Sequence, residues 1–172
     1  SKGKKEVSLS SFSFLFSEIV QYCQNRVNTV EELNQKLLEM GQRIGYRYLE
    51  LSVFRDKNSL RQIRCREMLN YVSSTIWKGL FGKTAYNVSS DPAVENRYMI
   101  YEKDPLENRY VSLPKNYTGL YCTYFSAGII SGVLNAAEFP ATVRVVLTAG
   151  GDFTAFIIDF AKSVMEREAN LK

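Results

Sequence analysis

Histidine is absent from all 172 residues. That removes the commonest general base and metal ligand and argues against a catalytic function. Cysteine is scarce. Cys23, Cys65 and Cys122 are odd in number and widely spaced, which fits neither a disulfide framework nor a CxxC metal or redox site and points to a reducing compartment. The acidic residues are scattered, with no pair at a spacing that suggests glycosidase or metal chemistry. The longest uncharged run, Asn116 to Ala137, is long enough to cross a bilayer, but Asn, Thr, Ser and aromatic residues dilute it, and no membrane span is expected. The basic N-terminus imitates a secretory signal, yet serines and Glu18 cut its apolar run and no small-residue cleavage site follows.

Two further motifs are imitations. Gly82-Lys83-Thr84 resembles the end of a phosphate-binding loop, but the first Gly of that motif would fall at Trp77, after a helix rather than a strand. Asn87-Val88-Ser89 and Asn116-Tyr117-Thr118 fit the glycosylation pattern, which carries no weight without a secretory signal.

What the chain does hold is apolar. Hydrophobic residues make up 45% of it, enough for the core of one domain. Lys and Arg exceed Asp and Glu by 22 to 18, a net charge of +4 that is too mild to imply nucleic acid. The aromatic content of 13% is generous for an isolated monomer and suits a protein that presents a partner surface.

Taken in order, residues 1–10 read as a flexible basic tail and residues 11–172 as a single α+β domain. A first helix from Ser11 carries Phe12, Leu15, Phe16, Ile19 and Cys23 on one stripe. Phe14 lies off that stripe and is a candidate contact residue. Thr29 and Glu32 form a capping box for a second helix, whose apolar face runs through Leu33, Leu37, Met40, Ile44, Tyr48 and Leu51. Gly41 and Gly45 lie along the edge of that face. Each costs the helix about 1 kcal/mol relative to Ala, so something must approach closely: another helix, or the wall of a narrow apolar channel. A third helix follows RDKNS and ends near Gly82, with Lys57, Arg61 and Arg64 on one side near its start. These three cations read as a solvated basic face, or as an electrostatic patch for an acidic partner or an anionic membrane surface. Cys65 reads as an inert buried thiol; its place near the basic stretch also allows a lowered pKa or an acyl modification.

Strands are predicted at Arg97–Lys103 and Arg109–Pro114, then a Gly-bearing helix through Phe125, Ile129 and Val133 that Pro140 stops, then a hairpin turning at Gly150-Gly151. The returning strand is apolar on both faces through Phe153, Phe156, Ile157, Ile158 and Phe160. It is therefore central in its sheet or covered by a partner, which makes Phe156 and Ile158 candidate interface residues. The order predicts a helical layer packed on a four-stranded antiparallel sheet, closed by a short charged helix.

Five runs in fixed order, EVSLSSFSFLFSEIV, GQRIGYRYLEL, IWKGLFGK, YCTYFSAGIISGVLNAAEFPATV and FIIDFAKSVMERE, resemble the small subunits of the transport protein particle (TRAPP) vesicle-tethering complex from Glu6 to about Glu168. The resemblance implies the same α+β fold and a non-catalytic bridging role. The place it implies lies between the acylated core subunit (subunit 3) and the sedlin-type subunit (subunit 2) of a rod-like assembly. That assembly promotes nucleotide exchange on a Rab GTPase in ER-to-Golgi and Golgi transport. It also implies a cytoplasmic protein, peripheral at cis-Golgi and endoplasmic reticulum membranes, with no cofactor. Gln62 falls where the acylated relative has its modified Cys, and Cys65 about one turn further on. The alternative reading is a small-ligand or lipid-binding module of the vinyl-reductase-like type, which needs an apolar cavity.

Overall fold

Two helices meet through their backbones, and the other elements are arranged around them. The computed structural model describes residues 7–56, 61–108, 122–148 and 153–171. Helix α1 spans Leu9–Gln24 and α2 spans Val30–Arg55; α3 (Cys65–Tyr71) runs through a π-helical turn, Val72–Ile76, into α4 (Trp77–Phe81). Strands β1 (Asn87–Ser90) and β2 (Arg97–Glu102) precede α5 (Tyr124–Ala136), and β3 (Ala141–Leu147) and β4 (Thr154–Phe160) precede α6 (Lys162–Ala169). The α+β class is as expected, with helices on a four-stranded antiparallel sheet of order β1-β2-β4-β3.

Gly41 and Gly45 of α2 face Gly128 and Gly132 of α5, each pair one turn apart. A Cβ at Gly41 would overlap the Phe125 carbonyl oxygen, and one at Gly45 the Ile129 carbonyl. From the other side, Gly128 and Gly132 abut the carbonyls of Leu38 and Gln42. Gly41 meets Phe125 and Ile129, and Gly45 meets Ile129 and Val133, so the two helices run in the same direction. A channel wall at Gly41 and Gly45 is therefore replaced by a tight helix crossing: the space is filled by main chain. The close approach also rotates α2 away from the expected face. Leu33, Leu37, Gly41 and Gly45 are buried, while Ile44 and Leu51 emerge on a flank.

Helix α5 is buried without interruption from Phe125 to Leu134, lying between α2 and the sheet. Full burial of each Phe, Ile, Val or Leu here contributes roughly 1.5–3 kcal/mol before entropy is counted. Glu138, at φ 63°, turns the chain out of the helix just before Pro140. Strand β4 occupies the centre of the sheet, paired to β2 and β3 through Phe156↔Ile100 and Phe156↔Val145.

Several expectations change. Helix α1 begins at Leu9, two residues before Ser11, because the Ser8 hydroxyl accepts from the Ser11 N–H at 3.2 Å. Its buried side runs through Phe16, Val20 and Cys23, which leaves Leu15 exposed. The third helix starts only at Cys65, so Arg61 precedes it and Arg64 is its N-cap. Phe156 and Ile158 are fully buried, with Trp77 packed edge-on against Phe156 at 5.7 Å. Their cover is the chain's own helical layer, not a partner. Strand β1 was passed over as a glycosylation imitation, yet β1 and β4 take both edges of β2. The strand expected at Arg109–Pro114, the turn at Gly150-Gly151 and residues 1–6 lie outside the described residues.

Gly128→Ala should destabilise the fold by about 1–3 kcal/mol in urea unfolding, because overpacking against the Leu38 carbonyl outweighs the roughly 1 kcal/mol gain in helix propensity. An unchanged or raised midpoint would mean that the two backbones can separate freely.

Candidate interaction surfaces

Helix α1 buries one side, and on its exposed side Phe14, Leu15 and Tyr22 stand among Ser11, Ser17, Glu18 and Gln21. Phe14 is 76% exposed, and Leu15 and Tyr22 are exposed as well; these two, seven residues apart, share one side of the helix, with Phe14 about 100° round from Leu15. The Arg26 guanidinium lies 3.5 Å from the Tyr22 ring centroid, a cation–π contact that holds the ring at the surface. At the far end of α2, Val53 and Phe54 are exposed, Phe54 to 84%. Large aromatic residues left uncovered make α1 and the end of α2 candidate interaction surfaces. Phe14 was legible as an off-stripe residue. Leu15, Tyr22 and Phe54 were missed, because the periodicity of one helix does not say which flank its neighbours leave open.

The expected basic patch is not a free one. Lys57 lies outside the described residues. The Arg61 guanidinium pairs with Glu138 at 2.6 Å, at the end of α5. Arg64 turns the other way, donating to the Leu171 carbonyl at 2.9 Å and lying 3.9 Å from Glu168 on α6. Arg61 and Arg64 thus clasp separate elements of their own chain, each beside an acid distant in sequence. Both pairs are exposed enough that solvent screening keeps them weak.

Between α2, the entry to α3 and the end of α5 lies an open cavity of about 410 Å³, lined by Leu49, Val53, Met68, Tyr71 and Ala136, with Arg61, Gln62 and Glu138 among its polar residues. Cys65 is close in sequence yet fully buried. Its N–H donates to Glu168 Oε2 at 3.0 Å, so a carboxylate from α6 supplies the cap that Arg64 does not give α3. Burial pushes the Cys65 thiol up to about 12, and the Glu168 charge adds to that effect. A thiol held protonated at neutral pH is a poor nucleophile. No local pattern marks Glu168, which lies 103 residues away.

On the outer face of the sheet, Asp159 accepts from Arg97 Nε at 2.6 Å and Arg144 Nη2 at 2.7 Å. The Arg97 hydrogen bond is the main reason its carboxyl lies below the usual range, with Arg144 adding to it. Among the described residues no cluster of His, Cys, Asp or Glu could hold a metal, and no helix is long and apolar enough to cross a membrane.

The candidate surfaces lie on an α+β domain of helices packed on a four-stranded antiparallel sheet. The comparisons agree: residues 12–160 match the family model described as transport protein particle (TRAPP) component, and the chain belongs to that family. It is similar to "Trafficking protein particle complex subunit 5" of Dictyostelium discoideum, 44% identical over 98% of this chain and 93% of the relative. The human protein of the same name is 38% identical over 99% of this chain and 89% of its own length. Subunit 31 of Saccharomyces cerevisiae is 22% identical over 96% of this chain and 80% of that protein. Among solved structures, subunit 3 from Naegleria fowleri, covalently bound to palmitic acid, superposes with a TM-score of 0.78 at 18% identity, covering 90% of this chain and 95% of the other. An H-NOX protein mutant from K. algicida gives 0.52 at 12% identity, over 94% of this chain and 78% of its own. At these identities both likenesses concern the fold alone.

Thiol labelling of the native chain should leave Cys65 unmodified until urea unfolds it. Labelling of Cys65 as fast as that of an unfolded control would contradict its burial beneath Glu168.

Proposed function

We propose that this component of a trafficking complex is a non-catalytic bridging subunit, which presents separate surfaces to two related subunits in a vesicle-tethering assembly. The observation that carries this reading is the exposed side of α1, where Phe14, Leu15 and Tyr22 stand out. Aromatic anchors of this kind supply most of the binding energy of a protein interface. The expected neighbours are the acylated subunit 3 and the sedlin-type subunit 2. Exchange on a Rab GTPase in ER-to-Golgi and Golgi transport is then a property of the assembly, and this chain supplies position rather than chemistry. The membrane association expected at the cis-Golgi and endoplasmic reticulum is peripheral, made through the assembled complex.

Phe14→Glu should weaken co-purification with the related small subunits by at least thirtyfold in Kd, corresponding to about 2 kcal/mol or more for a central anchor, while leaving the unfolding midpoint of the isolated chain nearly unchanged. Undiminished assembly would remove α1 from the interface.

A second reading rests on the 410 Å³ cavity. It is in the size range of small-ligand sites and is largely apolar, and a relative of the same fold holds palmitic acid. With Cys65 sealed, a ligand here would be held without a covalent bond to that thiol. Native mass spectrometry of the purified chain should show the bare polypeptide mass on the bridging reading; a retained lipid mass that disappears on denaturation would favour the ligand-binding one.

A further inference from the structure

Two acids lie buried close together beneath the start of α5. Glu102, at the end of β2, is 3% exposed, and Glu107, in the turn Leu106–Asn108, is 2% exposed. Both line one small space with Trp77, Lys83, Ser126 and Phe156, and the volume left is about 10 Å³, at the lower limit for a single water.

Their partners differ. Glu102 accepts from the Trp77 indole N–H at 2.7 Å and from the Lys83 ammonium. Lys83 also donates to the carbonyls of Lys103 at 2.9 Å and Asp104 at 3.2 Å, so its donors are committed at the end of β2. Glu107 receives the Ser126 hydroxyl. Among the described residues the remaining titratable neighbour is the Cys122 thiol, itself pushed up to about 11 chiefly by burial. Among the described residues facing this space there is one cation for two acids. If both were ionised, an excess negative charge would sit in an almost dry space walled by Phe81, Phe156 and Leu106. Such a charge is strongly unfavourable, and carboxylates sharing a site resolve it by keeping one proton. Glu102 has the ammonium and the indole; Glu107 has a hydroxyl, which a neutral carboxyl satisfies equally well.

We propose that the folded protein holds one proton in this cluster, on Glu107, and that the neutral carboxyl fastens the Leu106–Asn108 turn to the first turn of α5. The fastening is pH-sensitive. Burial raises the Glu107 carboxyl above its ordinary value, and the Glu102 charge acts in the same direction, against the Ser126 hydroxyl, a backbone hydrogen bond at Glu107 itself and Lys83. A group raised on folding contributes stability that is complete below its unfolded pKa and is lost as pH rises through its folded one. Raising the pH from the ordinary carboxylate range through the folded value should therefore loosen this turn first.

Urea unfolding of the full chain across a pH series, compared with Glu107→Gln, tests the proposal. Gln imitates the neutral acid. The variant should gain on wild type in folding equilibrium constant as pH rises above the ordinary carboxylate range, approaching tenfold per pH unit until the folded value is passed. Parallel pH profiles for the two proteins, or a variant that falls behind as pH rises, would overturn it. If the variant does not fold, titration of the wild-type Glu107 side-chain carbon by NMR decides: a midpoint above the ordinary range supports the proton, and one at or below it refutes it.

Discussion

The contact between the backbones of α2 and α5 is the constraint on which the other placements depend. Four glycines allow the two helices to approach until main-chain atoms touch, and nothing larger than a hydrogen fits on either side. Once α5 is held there, its remaining surface is committed to the sheet, and a run of ten buried residues from Phe125 to Leu134 follows. Helix α2 must then turn Gly41 and Gly45 inward, which carries Ile44 and Leu51 to a flank. The loss of helix propensity at the glycines is offset by dispersion contacts and by the apolar area that the approach excludes from water.

This arrangement suits the bridging role proposed for this trafficking-complex component. Reactive groups are either absent or sealed: the chain has no histidine, and Cys23, Cys65 and Cys122 are all buried. The charges near the entry to α3 are used within the chain, Arg61 on the end of α5 and Arg64 on the end of α6. Exposed aromatic and aliphatic residues stand on α1 and the last turn of α2, and others at Ile63, Tyr86 and the end of β3. A domain with a rigid interior and uncovered apolar helices has the physical requirements of a bridging component, because a preorganised surface loses little entropy on docking.

Much of the fold could be read from the sequence where the signal is local. The Thr29 cap and the end of α4 at Gly82 follow from residue types at fixed spacing, while the doubly apolar β4 reads as either central in its sheet or covered by a partner, and is central. Strand β1 was not legible, because Asn-Val-Ser-Ser has little strand character and owes its extended state to pairing with β2. The π-helical turn at Val72–Ile76 also lacked a signal, since the apolar pattern runs through it without a break. Phe156 and Ile158 were assigned to the wrong role for a related reason. A strand apolar on both faces declares that it is covered, but not whether the cover belongs to its own chain, and Trp77 provides it here. At the surfaces, Phe14 showed itself by lying off the stripe. The Glu138 partner of Arg61 and the Glu168 partner of the Cys65 N–H depend on contacts 77 and 103 residues apart, which no spacing rule reaches.

The central claim is that α1 meets a partner while the α2–α5 crossing is complete without one. Hydrogen exchange of the chain alone and in its assembly with the related small subunits addresses both halves together. The account predicts that amides around residues 38–45 and 125–133 exchange slowest in both states with no change on assembly, while those of α1 gain protection only in the complex. Unchanged exchange along α1, with new protection confined to α5, would contradict it.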